Sequence, residues 1–371
     1  MSETGAEPGG ETGGETGGDD LFSKLFELFN QPGPVNWKLA AEVARHLSGE
    51  RQPVEPWAAE EFRELARLVE YRLEQVAPFR IIPASDVLPV DPRTWAEKNL
   101  ESYGSLVEPF GTSVGGEGPA APLMAQMGPA IVGLQAGSLV GSLSVWVVAG
   151  FDAGLPPDRD GPMSLILPNI ESLEVTDVDE REVHLWVVAN EAAFRATSQL
   201  PWIQDHLAVL VGAYAEAAQI DPTKLSGLMI GGTEPDDIER AIEEAGGIDG
   251  LLGGEEAEAP RAELEAFLGA ITGCSRLLAR RATEDLAPNF DVISAARDIE
   301  RLSITSEPSI GVGPVPVEAT QLGDAFNQDV EARYGDDALK TLWSDPTRMP
   351  TAAELRDPTA WAARVLLDGW T

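Results

Sequence analysis

Cysteine is almost missing: Cys274 is the single one in 371 residues. No intrachain disulfide can form, so packing alone has to hold the fold. The start of the chain also lacks the basic and apolar regions of a secretory signal, and a reducing cytoplasm is the expected compartment. Histidine is scarce too, limited to His46, His184 and His206, and no two of them have the spacing of metal ligands. Positive charge is short: 26 Lys and Arg face 62 Asp and Glu, a formal charge of −36. A surface that negative repels nucleic acid phosphates and anionic lipids, so neither nucleic acid nor membrane is expected as a partner. Two origins fit the acidity, a high-salt cytosol and a preference for Arg over Lys. The chain also contains no P-loop, dinucleotide glycine fingerprint, serine nucleophile elbow or zinc-type cysteine pair, which counts against those enzyme classes.

One long uncharged run stands out, residues 128–151, with Gly133, Gly137 and Gly141 at four-residue intervals. It is long enough to span a bilayer, and glycines one turn apart suit a membrane helix pair. Gln135, Ser138, Ser142 and Ser144 dilute it, and the nearest cation is Arg159. A buried central helix crossed closely by neighbours is therefore expected, with membrane anchoring as the competing reading.

Elsewhere the pattern is helical. Residues 1–20 repeat Gly-Gly-Glu-Thr and are expected to form a disordered tail. Amphipathic helices are predicted over 21–29, 37–47 and 56–76, and a fourth over 95–107 begins near Asp91-Pro92. Glycines at 115–118 then break the chain, and 163–169 is the best strand candidate. Helices follow at 179–202 and 203–219, then a Gly-rich acidic insertion at 231–260. Further helical periodicity runs over 261–281, 325–334 and 338–343, with a last helix around Trp361. The class is mainly α with a minor short-strand element, read as a single domain over 21–371.

The helix at 179–202 poses the chemical question. An intact H-E-x-x-H places two imidazoles one turn apart on one face, with the Glu beside a metal-bound water as general base. Here the frame reads Asn190-Glu191-Ala192-Ala193-Phe194. The base position survives as Glu191. The first ligand position carries an amide that coordinates zinc poorly, and the second a phenyl ring with no lone pair. His184, six residues before Asn190, lies off that face. His184 is expected to hydrogen-bond near a helix start and His206 near a helix end. Cys274 is read as a small buried hydrophobe, and Glu191 as the partner of Arg195 in a structural ion pair.

Several landmarks occur in a family order. They are Gly33 to Trp37, the glycine-spaced run at 133–141, Leu167-Pro168-Asn169, Leu185-Trp186 with Arg195, and Pro201-Trp202. Trp343, Pro346, Pro350-Thr351, Glu354, Pro358, Trp361 and Arg364 close the set. On these residues the chain resembles bacterial zincin-like metallopeptidases, described as hydrolases or as associated with deazaflavin coenzyme biosynthesis. The resemblance implies a mainly helical domain whose central helix carries H-E-x-x-H followed by Arg. Carried over by position, Asn190 and Phe194 stand where the two histidine ligands would be, and Glu191 where the catalytic Glu would be. A further ligand from a downstream helix falls on Thr272-Gly273-Cys274, so that Thr272 replaces a carboxylate and Cys274 alone could bind zinc well. The leading expectation is a pseudoenzyme with no metal that binds a protein or peptide. The alternative is an active zinc-dependent metallopeptidase with a rearranged site, for instance Glu191 with Cys274 or an Asp brought in by the fold.

Overall fold

The computed structural model describes residues 33–84, 86–113, 121–156, 161–218, 255–304 and 312–367. The expected tail at 1–20, the helix at 21–29 and most of the insertion at 231–260 lie outside the described residues. The elements in order are α1 (Trp37–Leu47), α2 (Pro56–Val76), β1 (Val87–Val90), α3 (Pro92–Gly104), α4 (Glu108–Ser113) and α5 (Ala121–Ser144). There follow α6 (Gly150–Ala153), β2 (Met163–Ile166), α7 (Leu167–Glu171), α8 (Glu180–Ser198) and α9 (Ile203–Ala217). The C-terminal part holds α10 (Glu255–Ala282), α11 (Phe290–Ser303), α12 (Val317–Tyr334), α13 (Asp336–Leu342) and α14 (Pro358–Leu367). The class is mainly α, as the sequence indicates.

Local chemistry sets the starts. Asn36 accepts the Leu39 N–H at 3.1 Å to cap α1, and Asp91 accepts the Thr94 N–H at 2.7 Å to cap α3, with Pro92 in its first turn. The strand predicted over 163–169 ends at Ile166, because Pro168 opens α7. Its partner β1 went unforeseen. The two pair in parallel, Val87 opposite Met163 and Val90 opposite Ile166, and a two-stranded sheet leaves Pro89 an edge that needs no N–H.

The uncharged run at 128–151 is not one helix. α5 stops at Ser144, and the chain beyond it extends so that the Val148 carbonyl accepts the Ile166 N–H at 2.9 Å. A Cβ added at Gly137 would come 2.4 Å from the Ala40 carbonyl oxygen, and one at Gly133 equally close to that of Asn36. Only hydrogen at those positions lets α1 lie directly on α5. The same device recurs between α10 and α12, where a Cβ on Gly273 would sit 2.0 Å from the Gly323 carbonyl carbon. Among the described residues no helix is long and apolar enough to cross a membrane. α8 runs through the interior against α2, α6, α10 and α11, inside one contiguous apolar cluster reaching from Val35 to Val365.

Candidate functional site at the central helix

Asp179 starts α8 by accepting the Arg181 N–H at 2.9 Å, with Glu180 and Glu182 in the first turn suiting the positive helix end. From Val183 to Ser198 every residue is buried. Asn190 and Phe194, one turn apart, line a cavity of about 20 Å³ together with Thr272 of α10. The three positions singled out for metal ligands therefore surround one space.

Their donors do not fit zinc. Asn190 spends its Nδ2 on the Trp186 carbonyl at 2.9 Å, Thr272 donates its hydroxyl to the Leu268 carbonyl at 3.0 Å, and Phe194 is fully buried hydrocarbon. Arg276, Arg297 and Arg301 share the wall with Asp152 and Asp298, and three guanidiniums repel a divalent cation. Among the described residues no three His, Cys, Asp or Glu side chains are grouped to hold a metal ion.

Two ion pairs organise that wall. Arg297 reaches Asp152 at 2.5 Å with both side chains almost fully buried, and Arg276 grips Asp298 through both terminal nitrogens at 2.9 and 2.7 Å. Burial acts to raise the Asp298 carboxyl, but the hydrogen bonds and charge of Arg276, the hydrogen bond from Gln321 and the charge of Arg301 together outweigh it and hold the group below its ordinary value. These arginines and aspartates were not read from the sequence. Arg276 and Asp298 lie 22 positions apart and Asp152 and Arg297 lie 145 apart, so no local pattern announces either pair.

Glu191 is not part of the cavity wall. Its carboxylate turns to the start of α6, accepting the Phe151 N–H at 2.8 Å and a second bond from the Gly150 N–H. Burial pushes its pKa up, against the opposing pull of Arg195 and the two amides. The expected contact ion pair with Arg195 does not form among the described residues. Arg195 instead donates to the carbonyls of Gly161 at 2.5 Å and Pro162 at 3.3 Å, and acts on Glu191 only through space. The Tyr103 hydroxyl lies near the same carboxylate, fully buried and with no hydrogen-bond partner among the described residues.

Cys274 is fully buried outside the cavity wall, and burial pushes its thiol pKa up. The combination of Glu191 with Cys274 is thus not assembled around the cavity. His184 hydrogen-bonds Glu61 at 3.1 Å near the start of α8. His206 sits in the first turn of α9, at the start of that helix and not at its C-terminal end, with its ring edge-on to Phe267 at 4.9 Å.

A family model for zincin-like metallopeptidases matches residues 35–362. The chain belongs to the zincin-like metallopeptidase family. Among solved structures it is similar to one reported as "a putative hydrolase with a novel fold" from Chloroflexus aurantiacus, with a TM-score of 0.62 and 20% identity. That likeness covers 89% of this chain and 98% of the other, and at such identity it concerns the fold alone. No curated protein matches the chain.

Proposed function

We propose that this member of the family has lost zinc binding and peptide hydrolysis and serves as a pseudoenzyme that binds a protein or peptide. The carrying observation is the cavity at Asn190, Phe194 and Thr272, whose wall offers an amide, a phenyl ring and a hydroxyl, no imidazole, and two carboxylates, Asp152 and Asp298, already held by arginines. The outward turn of Glu191 to the α6 amides supports the same reading, since a general base must lie beside the water it activates. At about 20 Å³ the cavity admits one water-sized group and no peptide side chain. Partner binding then falls to the surface, where an open groove of about 610 Å³ runs past Lys98, Ser102, Pro162 and Ser164.

Elemental analysis of untagged protein purified without chelator tests the loss of metal. Less than a tenth of a zinc per chain is expected, on the order of trace carry-over, and one zinc per chain overturns the reading. Peptide-array binding tests the groove: Ser102→Trp should abolish capture that the unmodified chain shows. Family membership favours a second reading, a zinc-dependent hydrolase with a rearranged site. Peptidase activity that needs added zinc and disappears in Glu191→Gln would establish it.

A further inference from the structure

We propose that the surface between α7 and α11 is a docking site for a basic amphipathic helix, which lays leucine-like side chains into two joined grooves and its cations against a rim of glutamates. This surface is distinct from the groove at Lys98, and the inference does not depend on the loss of zinc.

The chain between α7 and α8 alternates. Leu173 and Val175 are half-buried against the core, and Glu174 between them is exposed. These three residues line both of two open grooves, one of about 400 Å³ reaching Val178 and the start of α8, the other of about 240 Å³ against Ile293 and Ala296 of α11. The apolar surface continues past the second groove. Val292 and Ile299, one turn either side of Ala296 on the same helix, stand 53% and 69% exposed. Contiguous hydrocarbon left open to water in this way marks an interaction surface.

Charge selects the partner. Glu171, Glu174 and Glu180 are exposed at the first groove and Glu300 at the second. Of the lysines and arginines among the described residues, only Arg297 lines either groove, and it is already committed to Asp152 and Glu300. A second copy of this chain would bring the same glutamates face to face, and two molecules of charge −36 repel each other as wholes. Nucleic acid and anionic lipid are repelled likewise, and a small cation would leave the apolar floor uncovered. A helix that is apolar along one face and rich in Lys or Arg on its flanks satisfies both the floor and the rim.

The test follows the fluorescence anisotropy of a labelled peptide of about fourteen residues, with leucine at heptad a and d positions and lysine elsewhere, against the full chain. Saturable binding to a single site is expected, weakened about five- to tenfold between about 0.05 and about 0.3 M salt. Ile299→Asp and Val175→Asp should each weaken it by about tenfold or more. Val209→Asp, at a similarly exposed valine of α9 outside both grooves, should not. Each of the three variants adds a negative charge, so attraction by net charge alone would hold or tighten binding in all of them alike. That uniform result overturns the assignment, and so does equal binding of a peptide with glutamate in place of lysine. Because Ile299 is exposed, its variant keeps the fold even where Val175→Asp does not. A dimer in sedimentation that Ile299→Asp dissociates would overturn the helix in favour of a second copy. Ser102→Trp should leave this binding intact, so failure here and failure at the Lys98 groove are distinguishable.

Discussion

Phe194, which the sequence reading sets at a metal-ligand position, is a phenyl ring with no solvent exposure. Truncating such a ring removes both its transfer free energy and its packing, so Phe194→Ala should destabilise the chain by about 3–5 kcal/mol. Chemical denaturation measures this, and a loss below about 1 kcal/mol would show that the ring is not core. Tyr103 predicts the opposite sign. Its hydroxyl is buried, without a hydrogen-bond partner among the described residues and close to the Glu191 carboxylate, and a buried polar group without a partner costs stability. Tyr103→Phe should therefore leave the unfolding free energy unchanged or raise it by up to about 1 kcal/mol. A clear loss would mean that the hydroxyl has a partner in solution.

At the scale of elements, the crossing of α10 and α12 depends on glycine. With a Cβ at residue 273 only 2.0 Å from the Gly323 backbone, the helices must separate, and Thr272, Ser275 and Arg276 move with α10. Gly273→Ala should cost about 1–3 kcal/mol or more and lower the midpoint accordingly; an unchanged midpoint would refute the close crossing. This scale also shows what the sequence could reveal. The ranges of α1 and α2 were legible because their apolar residues recur at helical spacing and a cap or a proline marks each start. α11 was not legible because its inward face mixes apolar and polar residues. Ser294, Arg297 and Asp298 are buried beside Phe290 and Ile293, while Val292, Ile299 and Leu302 face solvent, so charged residues interrupt the inward face, apolar ones stand on the outward face, and the apolar rule gives a weak signal. The site divided the same way. Asn190, Glu191 and Phe194 stand in one short frame, whereas the arginine wall is assembled from α6, α10 and α11 by contacts distant in sequence.

For the whole molecule, charge sets two expectations. A net −36 imposes self-repulsion that salt screens, and the same field should keep DNA and acidic liposomes unbound even at low salt, which a sedimentation assay checks. Acid stability depends on particular carboxylates. Hydrogen bonds from the Arg364 guanidinium at 2.7 Å hold Glu354 below its ordinary carboxyl value. A depressed carboxyl contributes stability fully present above its unfolded value near 4.5 and lost as pH falls through its lower folded value. Glu354→Gln should thus cost about 1–3 kcal/mol at neutral pH and flatten the loss seen below about pH 4.5. Equal acid sensitivity in the variant would remove this pair from the account.

On the proposed reading, the plug at Phe194 also makes the loss of metal in this chain directional. Regaining an imidazole there requires emptying a packed volume before any ligand set is complete, and the intermediate bears a hole with nothing bound in it. Each later adjustment of the surrounding wall to the ring deepens that valley. On that reading Phe194 works as a ratchet: a descent from metal to hydrocarbon proceeds by single steps, while the return needs several changes at once.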